Sequence, residues 1–161
     1  MELELLSRLQ VAMHDDDVAA MVVTPGADLQ YIAGYDAKPL ERLTALVIPR
    51  DGSPVLVAPA LEAGEAREST FARSGGDVIT WTETQDPFRI VADLVYDGAS
   101  GAIAVDDHMW AQRVLRLRQV INDRPQVLAG SILNDLRQQK TSSEIERLQE
   151  AAAAIESVHR L

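Results

Sequence analysis

RLTALVIPRDGSPVLVA, residues 42–58, reads as two strands folded back on one another. Arg42–Pro49 and Pro54–Ala58 are rich in β-branched and aliphatic residues, and they flank Arg50-Asp51-Gly52-Ser53, a turn carrying Asp-Gly. Two such runs around that dipeptide are the strongest short-range hairpin signal. A hairpin pairs antiparallel, so any sheet that contains it contains at least one reversed strand.

On either side of the hairpin, strands alternate with helices. Upstream, Leu3, Leu5, Leu6, Leu9, Ala12 and Met13 fall at helical spacing, and Asp15-Asp16-Asp17 closes that helix. Ala19–Thr24 is almost wholly apolar, which predicts a short strand covered on both faces. Pro25-Gly26 breaks it, and Asp28–Ala33 suits one or two helical turns. Downstream, a helix is expected over about Leu61–Ala72, a turn at Gly75-Gly76 and a strand over Val78–Trp81. Asp86 as N-cap, Pro87 at the first helical position and Gly98 past the end punctuate another helix. Ala102–Val105 reads as a second buried strand. Met109–Gln119 reads as a helix with Trp110, Val114 and Leu117 as its stripe, Gln126–Ala129 as an edge strand, and Ile132–Leu136 as helical. Alternation interrupted by one hairpin predicts an α/β fold of three layers, a mixed β-sheet flanked by helices.

The final stretch, Leu136–Leu161, contains a helix start of its own. Thr141 followed by Glu144 forms a capping box, and Ile145, Leu148, Ala152 and Ile155 line one stripe behind it. No glycine, proline or polar tail ends this helix, so it is expected to continue past Leu161.

Composition narrows the function classes. A net charge of −10 argues against nucleic acid, which requires clustered cations. With no cysteine there is neither a disulfide nor a thiolate metal site. No apolar run reaches membrane-spanning length and no signal-like N-terminus is present, so a soluble cytoplasmic protein is expected.

Few local constellations carry chemistry. Asp106-Asp107-His108 offers two carboxylates and an imidazole at a strand end, but helix capping by Asp106 or Asp107, with His108 in the first turn, is the simpler reading. Asp15-Asp16-Asp17 lacks the spacing and terminal glutamate of a calcium loop. His14 and His159 stand isolated on helices. Neither a nucleophile elbow nor a phosphate-binding glycine loop occurs. The best candidate is the polar loop Tyr35–Arg42, where Tyr35, Asp36, Lys38, Glu41 and Arg42 lie between apolar elements. There a cation suits an anionic group and an acid a cationic one, while Glu41 and Arg42 equally suit a surface pair. Tyr31 and Tyr35 are expected to pack the loop.

Three segments carry a family resemblance. Tyr31-Ile32-Ala33-Gly34-Tyr35 resembles a YLTGY/F motif, and Glu41–Glu62 resembles a longer pattern with the hairpin at its centre. The third is Leu136-Arg137, Lys140, Glu144-Ile145 and Ala151-Ala152. All three are similar to the N-terminal half of the creatinase, prolidase and aminopeptidase P family. The resemblance implies a ribonuclease H-like mixed-sheet domain at residues 1–139. Residues 140–161 would then be a linker and the first helix of a C-terminal pita-bread peptidase domain. It further implies a parent Xaa-Pro dipeptidase or aminopeptidase acting on proline-containing peptides as a homodimer. In that family the loop equivalent to Tyr35–Arg42 leans over the partner subunit's active site. Two divalent metal ions would be held by aspartates, a histidine and glutamates of the C-terminal domain, so neither a metal ligand nor a catalytic residue is assigned to this chain. Two other readings remain: a free-standing binding module, and the N-terminal domain of a creatinase-type amidinohydrolase, which needs no metal.

Overall fold

The computed structural model describes residues 2–95, 100–122 and 124–159. Gly98 therefore lies outside the described residues, as do the side chains of Leu3 and His159.

Six strands form one sheet: β1 (Val18–Val23), β2 (Ala45–Pro49), β3 (Val55–Pro59), β4 (Asp77–Trp81), β5 (Ala102–Val105) and β6 (Gln126–Leu128). Their order is β4-β3-β2-β1-β5-β6. β2 runs antiparallel to both β1 and β3, whereas the β1–β5, β3–β4 and β5–β6 pairs are parallel. Only β2 is reversed, so the other five strands share a direction and end on one edge of the sheet. The mixed sheet predicted from the hairpin is present, and the hairpin supplies its single reversal. The connection at residues 50–54 is fixed from outside by Gln10, whose Nε2 donates to the carbonyls of Pro49 and Gly52 at 2.8 Å each.

Helices cover both faces. One face packs α1 (Glu2–Asp15), α2 (Ala27–Ala33), α3 (Ala63–Glu68), α4 (Thr70–Arg73) and α7 (Gly130–Gln138) over Met21, Leu46, Ile48, Leu56 and Ala104. The other packs α5 (Pro87–Val95) and α6 (Ala111–Val120) over Val22, Val47, Val57, Ile103 and Val105. Successive strand residues point to opposite faces, so the wholly apolar runs of β1, β2 and β3 are buried on both sides.

Local punctuation departs from expectation in one place. The helix expected over Leu61–Ala72 is divided into a 3-10 turn (Ala60–Glu62), α3 and α4. Ser69 makes the break: its backbone is extended, and its hydroxyl donates to the Ala66 carbonyl and accepts from the Ala72 amide. Asp86 does cap α5, accepting from the Phe88 amide at 3.1 Å.

The last helix, α8 (Ser142–His159), starts at the expected capping box. The Glu144 amide donates to Thr141 Oγ1 at 3.3 Å, and the Thr141 amide donates to Glu144 Oε2 at 2.7 Å. Its stripe of Ile145, Leu148 and Ile155 is exposed, together with Val158. No helix among the described residues is long and apolar enough to cross a membrane.

Candidate functional site

Because five strands end together, the segments that follow them meet at one edge. There lie Thr24 after β1, the Ala60–Glu62 turn after β3, Glu83 after β4, Asp106 after β5 and Ala129 after β6. Residues 34–44 lead into the reversed β2 and so cross the same edge. In open α/β sheets this carboxyl edge is where ligands are generally held.

The crossing loop is anchored at intervals. Gly34 adopts the left-handed conformation (φ 56°) that closes α2. Tyr35, Ala37 and Leu43 are buried, while Asp36, Lys38, Leu40 and Glu41 face solvent. Arg113 of α6 lies beneath, 4% exposed, and its Nη2 donates to the Leu40 carbonyl and, at 3.2 Å, to that of Arg42. Its guanidinium also stacks on Trp110, 4.6 Å from the ring centroid. Burial pulls the Arg113 pKa down from its ordinary value, and the charge of Asp106 opposes that shift. Trp81 Nε1 donates to the Leu43 carbonyl at 2.9 Å. The loop is thus fastened by α6 on one side and by the end of β4 on the other.

The five loop candidates have different fates. Arg42 donates through Nε to Glu83 Oε1 at 2.7 Å and lies 3.5 Å from Glu41, so the surface pair envisaged for it exists, with Glu83 as the closer partner. Lys38 makes no ion pair with a described residue. Asp36 and Lys38 line an open groove of about 830 Å³ together with Tyr35, Glu62, Glu65 and Glu68. Glu62 is held there by Thr44, whose hydroxyl donates to Oε2 at 3.0 Å. The Tyr35 hydroxyl has no hydrogen-bond partner among the described residues. Burial first, then the charges of Glu62 and Glu65, push it up to about 12.

Asp106-Asp107-His108 does not cap α6, and His108 precedes the helix instead of sitting in its first turn. Trp110 occupies the N-cap position without a side-chain bond. Asp106 Oδ2 instead accepts from the Thr24 amide and hydroxyl at 2.7 and 2.6 Å, and Oδ1 accepts from the His108 amide at 3.0 Å. Asp107 accepts from the Gly130 amide at 2.8 Å. The two carboxylates fasten the ends of β1, β5 and β6 to each other. His14, read as isolated, sits 2.8 Å from Asp51 of the hairpin turn. Among the described residues no three His, Asp or Glu side chains converge as a metal site requires.

Sequence reading missed Arg113, Trp81, Glu62 and Glu83 as partners of the loop. A signal for Arg113 was available: with Trp110, Val114 and Leu117 it shares one helical stripe, a cation on an otherwise apolar face.

The family description "Creatinase/Prolidase N-terminal domain" matches residues 6–139, the span that carries the sheet, the loop and its anchors. The chain belongs to this family. Its relatives include the probable dipeptidase PepE of Mycobacterium tuberculosis, 41% identical over 154 residues, which cover 96% of this chain and 40% of that protein. The Xaa-Pro dipeptidase of Lactobacillus helveticus is 29% identical over 157 residues, covering 92% of this chain and 40% of that protein. In the crystal structure of dipeptidase PepE from Mycobacterium ulcerans, the matching part has a TM-score of 0.88 at 38% identity, covering 99% of this chain and 42% of that one. The chain thus spans about two-fifths of the length of the relatives it matches, and its fold is that of the family's N-terminal domain.

Proposed function

We propose that this domain forms one wall of the substrate pocket in a Xaa-Pro dipeptidase-like hydrolase, restricts that pocket to small peptides and contributes to a homodimer interface. In this reading residues 1–139 are the non-catalytic domain. Residues 140–161 are the linker and first helix of a peptidase domain that would carry the divalent metal pair. The parent enzyme would hydrolyse the bond before proline, in the cytoplasm.

One observation carries the reading: a charged loop is clamped across the carboxyl edge of the sheet by Arg113 and Trp81 while Lys38 stays exposed and without an ion-pair partner among the described residues. A rigid scaffold holding an uncommitted charge suits recognition of a substrate's opposite charge. The identity to PepE over 96% of this chain supports the peptidase assignment.

Alanine substitution in the parent enzyme tests it. Removing one partner of a desolvated, hydrogen-bonded charge pair costs about 2–5 kcal/mol, whereas a surface pair is worth about 0–1. Among Lys38, Glu41 and Arg42, at least one alanine variant lowers kcat/KM by more than about tenfold with little change in thermal stability. Lys38→Ala is the leading candidate, because Arg42 is engaged by Glu83. Values within about twofold of wild type for all three would reduce the domain to steric gating and dimerisation.

A further inference from the structure

Beyond its first turn, α8 has almost nothing to lean on: every side chain from Ile145 to Val158 is exposed. A helix without packing is ordinarily free to swing about the segment that precedes it. Here that segment is tied down at three points. Arg137, in the last turn of α7, donates through Nη1 to Asp28 Oδ1 at 2.6 Å and through Nη2 to the Ala27 carbonyl at 3.3 Å. Its guanidinium also lies over the Tyr31 ring, 5.1 Å from the centroid. Gln139, between the two helices, accepts from Arg8 of α1 at 3.4 Å. The third tie is the Tyr31 hydroxyl, which meets the carboxylate of Glu144, the second member of the capping box. Burial, and after it the negative charge of Glu144, raise the Tyr31 pKa.

Two of these ties end on α2. An exposed ion pair would hold little, because solvent screens it. The Asp28 side chain is only 15% exposed, and its arginine partner is also stacked on an aromatic face, so this pair is screened less. Tyr31, Thr141 and Glu144 line one cavity of about 280 Å³ together with Arg8, so the start of α8 rests on α1 and α2 without filling the space between them. Polar contacts, and not an apolar interface, therefore decide where α8 points.

We propose that Tyr31 and Arg137 are positioning residues, which seat the end of α7 and the start of α8 on α2 and so set the direction in which α8 leaves the domain. At its other end α2 passes through Gly34 into the charged loop. A change in the seat is therefore felt at Asp36 and Lys38, which precede the carbonyls that Arg113 fixes. In the parent, the loop and whatever follows α8 would share one support. That consequence rests on the division of labour proposed above, whereas the direction of α8 does not.

The test is a distance measurement between two spin labels on this chain, which has no cysteine of its own to compete for them. Asp93→Cys on α5 and Ala153→Cys on α8 place the labels at exposed positions. Leu148→Glu and Ile155→Glu are added throughout, so that the apolar stripe neither associates nor supplies the hold. One narrow distance distribution is expected. Tyr31→Phe, which keeps the ring under the guanidinium and removes only the hydroxyl, should broaden it. Arg137→Met should broaden it too, with the helix content read by circular dichroism unchanged, and should shift the amide resonances of Asp36 and Lys38. The Arg137 side chain is 36% exposed, so its variant keeps the fold even if Tyr31→Phe disturbs α2. A broad distribution before either substitution, or a narrow one that survives both, would overturn the proposal. Broadening that leaves the Asp36 and Lys38 amides in place would overturn the link to the loop. Both readouts are taken on this chain without turnover, so failure here is distinguishable from failure of the loop substitutions in the parent.

Discussion

Arg113 brings a guanidinium to a position 4% exposed and directs it at two backbone carbonyls of the loop. Substituting methionine keeps an aliphatic stem against Trp110 but leaves the Leu40 and Arg42 carbonyls without that donor. The cost expected is about 1–3 kcal/mol, read as a lower melting temperature at about 2–4 °C per kcal/mol for a chain of this size. A melting temperature unchanged in Arg113→Met would mean that the guanidinium's desolvation offsets its hydrogen bonds. Tyr35 gives a second prediction. Its folded pKa of about 12 lies above the ordinary tyrosine value of 10.0, so the fold favours the neutral phenol. That contribution is complete below pH 10 and is lost as pH rises through about 12. Absorbance titration should show a late-ionising tyrosine that disappears in Tyr35→Phe. At this scale the sequence was only partly legible. Tyr35 is buried, the placement expected of an aromatic between apolar elements. The Arg113 contact joins residues far apart in the chain, so no local pattern announces which carbonyls it serves.

The capping box of α8 was fully legible, because its bonds join residues three apart. The Thr141 amide bond to the Glu144 carboxylate is the main reason that the Glu144 pKa lies below its ordinary 4.5. A depressed carboxyl pKa contributes stability above the unfolded value and loses it as pH falls through the folded one. The first turn of α8 should therefore loosen below about pH 4.5, seen as faster amide exchange at residues 142–145 once the intrinsic pH effect is removed. Glu144→Ala should abolish that dependence, and Thr141→Ala should cost the helix about 1 kcal/mol. The division at Ser69 was not legible, since Leu61–Ala72 has helical spacing throughout and only the Ser69 hydroxyl's two bonds reveal the break. The strand alternation was readable from periodicity, and the reversal of β2 from the Asp-Gly turn. The placement of β1 between β2 and β5 was not, because apolar runs of equal length do not say which of them is central.

For the whole molecule, the reading proposed above puts the parent's bond-breaking chemistry outside these residues. This chain alone is expected not to hydrolyse Ala-Pro, with or without added manganese, cobalt or zinc, in an assay of released proline. Turnover that copurifies with the chain would refute the division of labour proposed above. The exposed stripe of Ile145, Leu148, Ile155 and Val158 is expected to show itself as concentration-dependent association in sedimentation. Replacing Leu148 and Ile155 by glutamate should remove it while moving stability by no more than about 0.5 kcal/mol per site. The strand order has a consequence in time as well as space. Strands β1 to β4 can pair as soon as the chain has emerged through Trp81, but the other edge of β1 waits for Ala102–Val105. During synthesis a wholly apolar strand of the sheet therefore has one open hydrogen-bonding edge, available to any other nascent chain. Closing it requires a contact of long sequence separation, with Val18 against Ala102, which is entropically slow to form. Yield from a cell should accordingly depend more on how quickly residues 82–105 follow the first half out of the ribosome than on the stability of the finished fold.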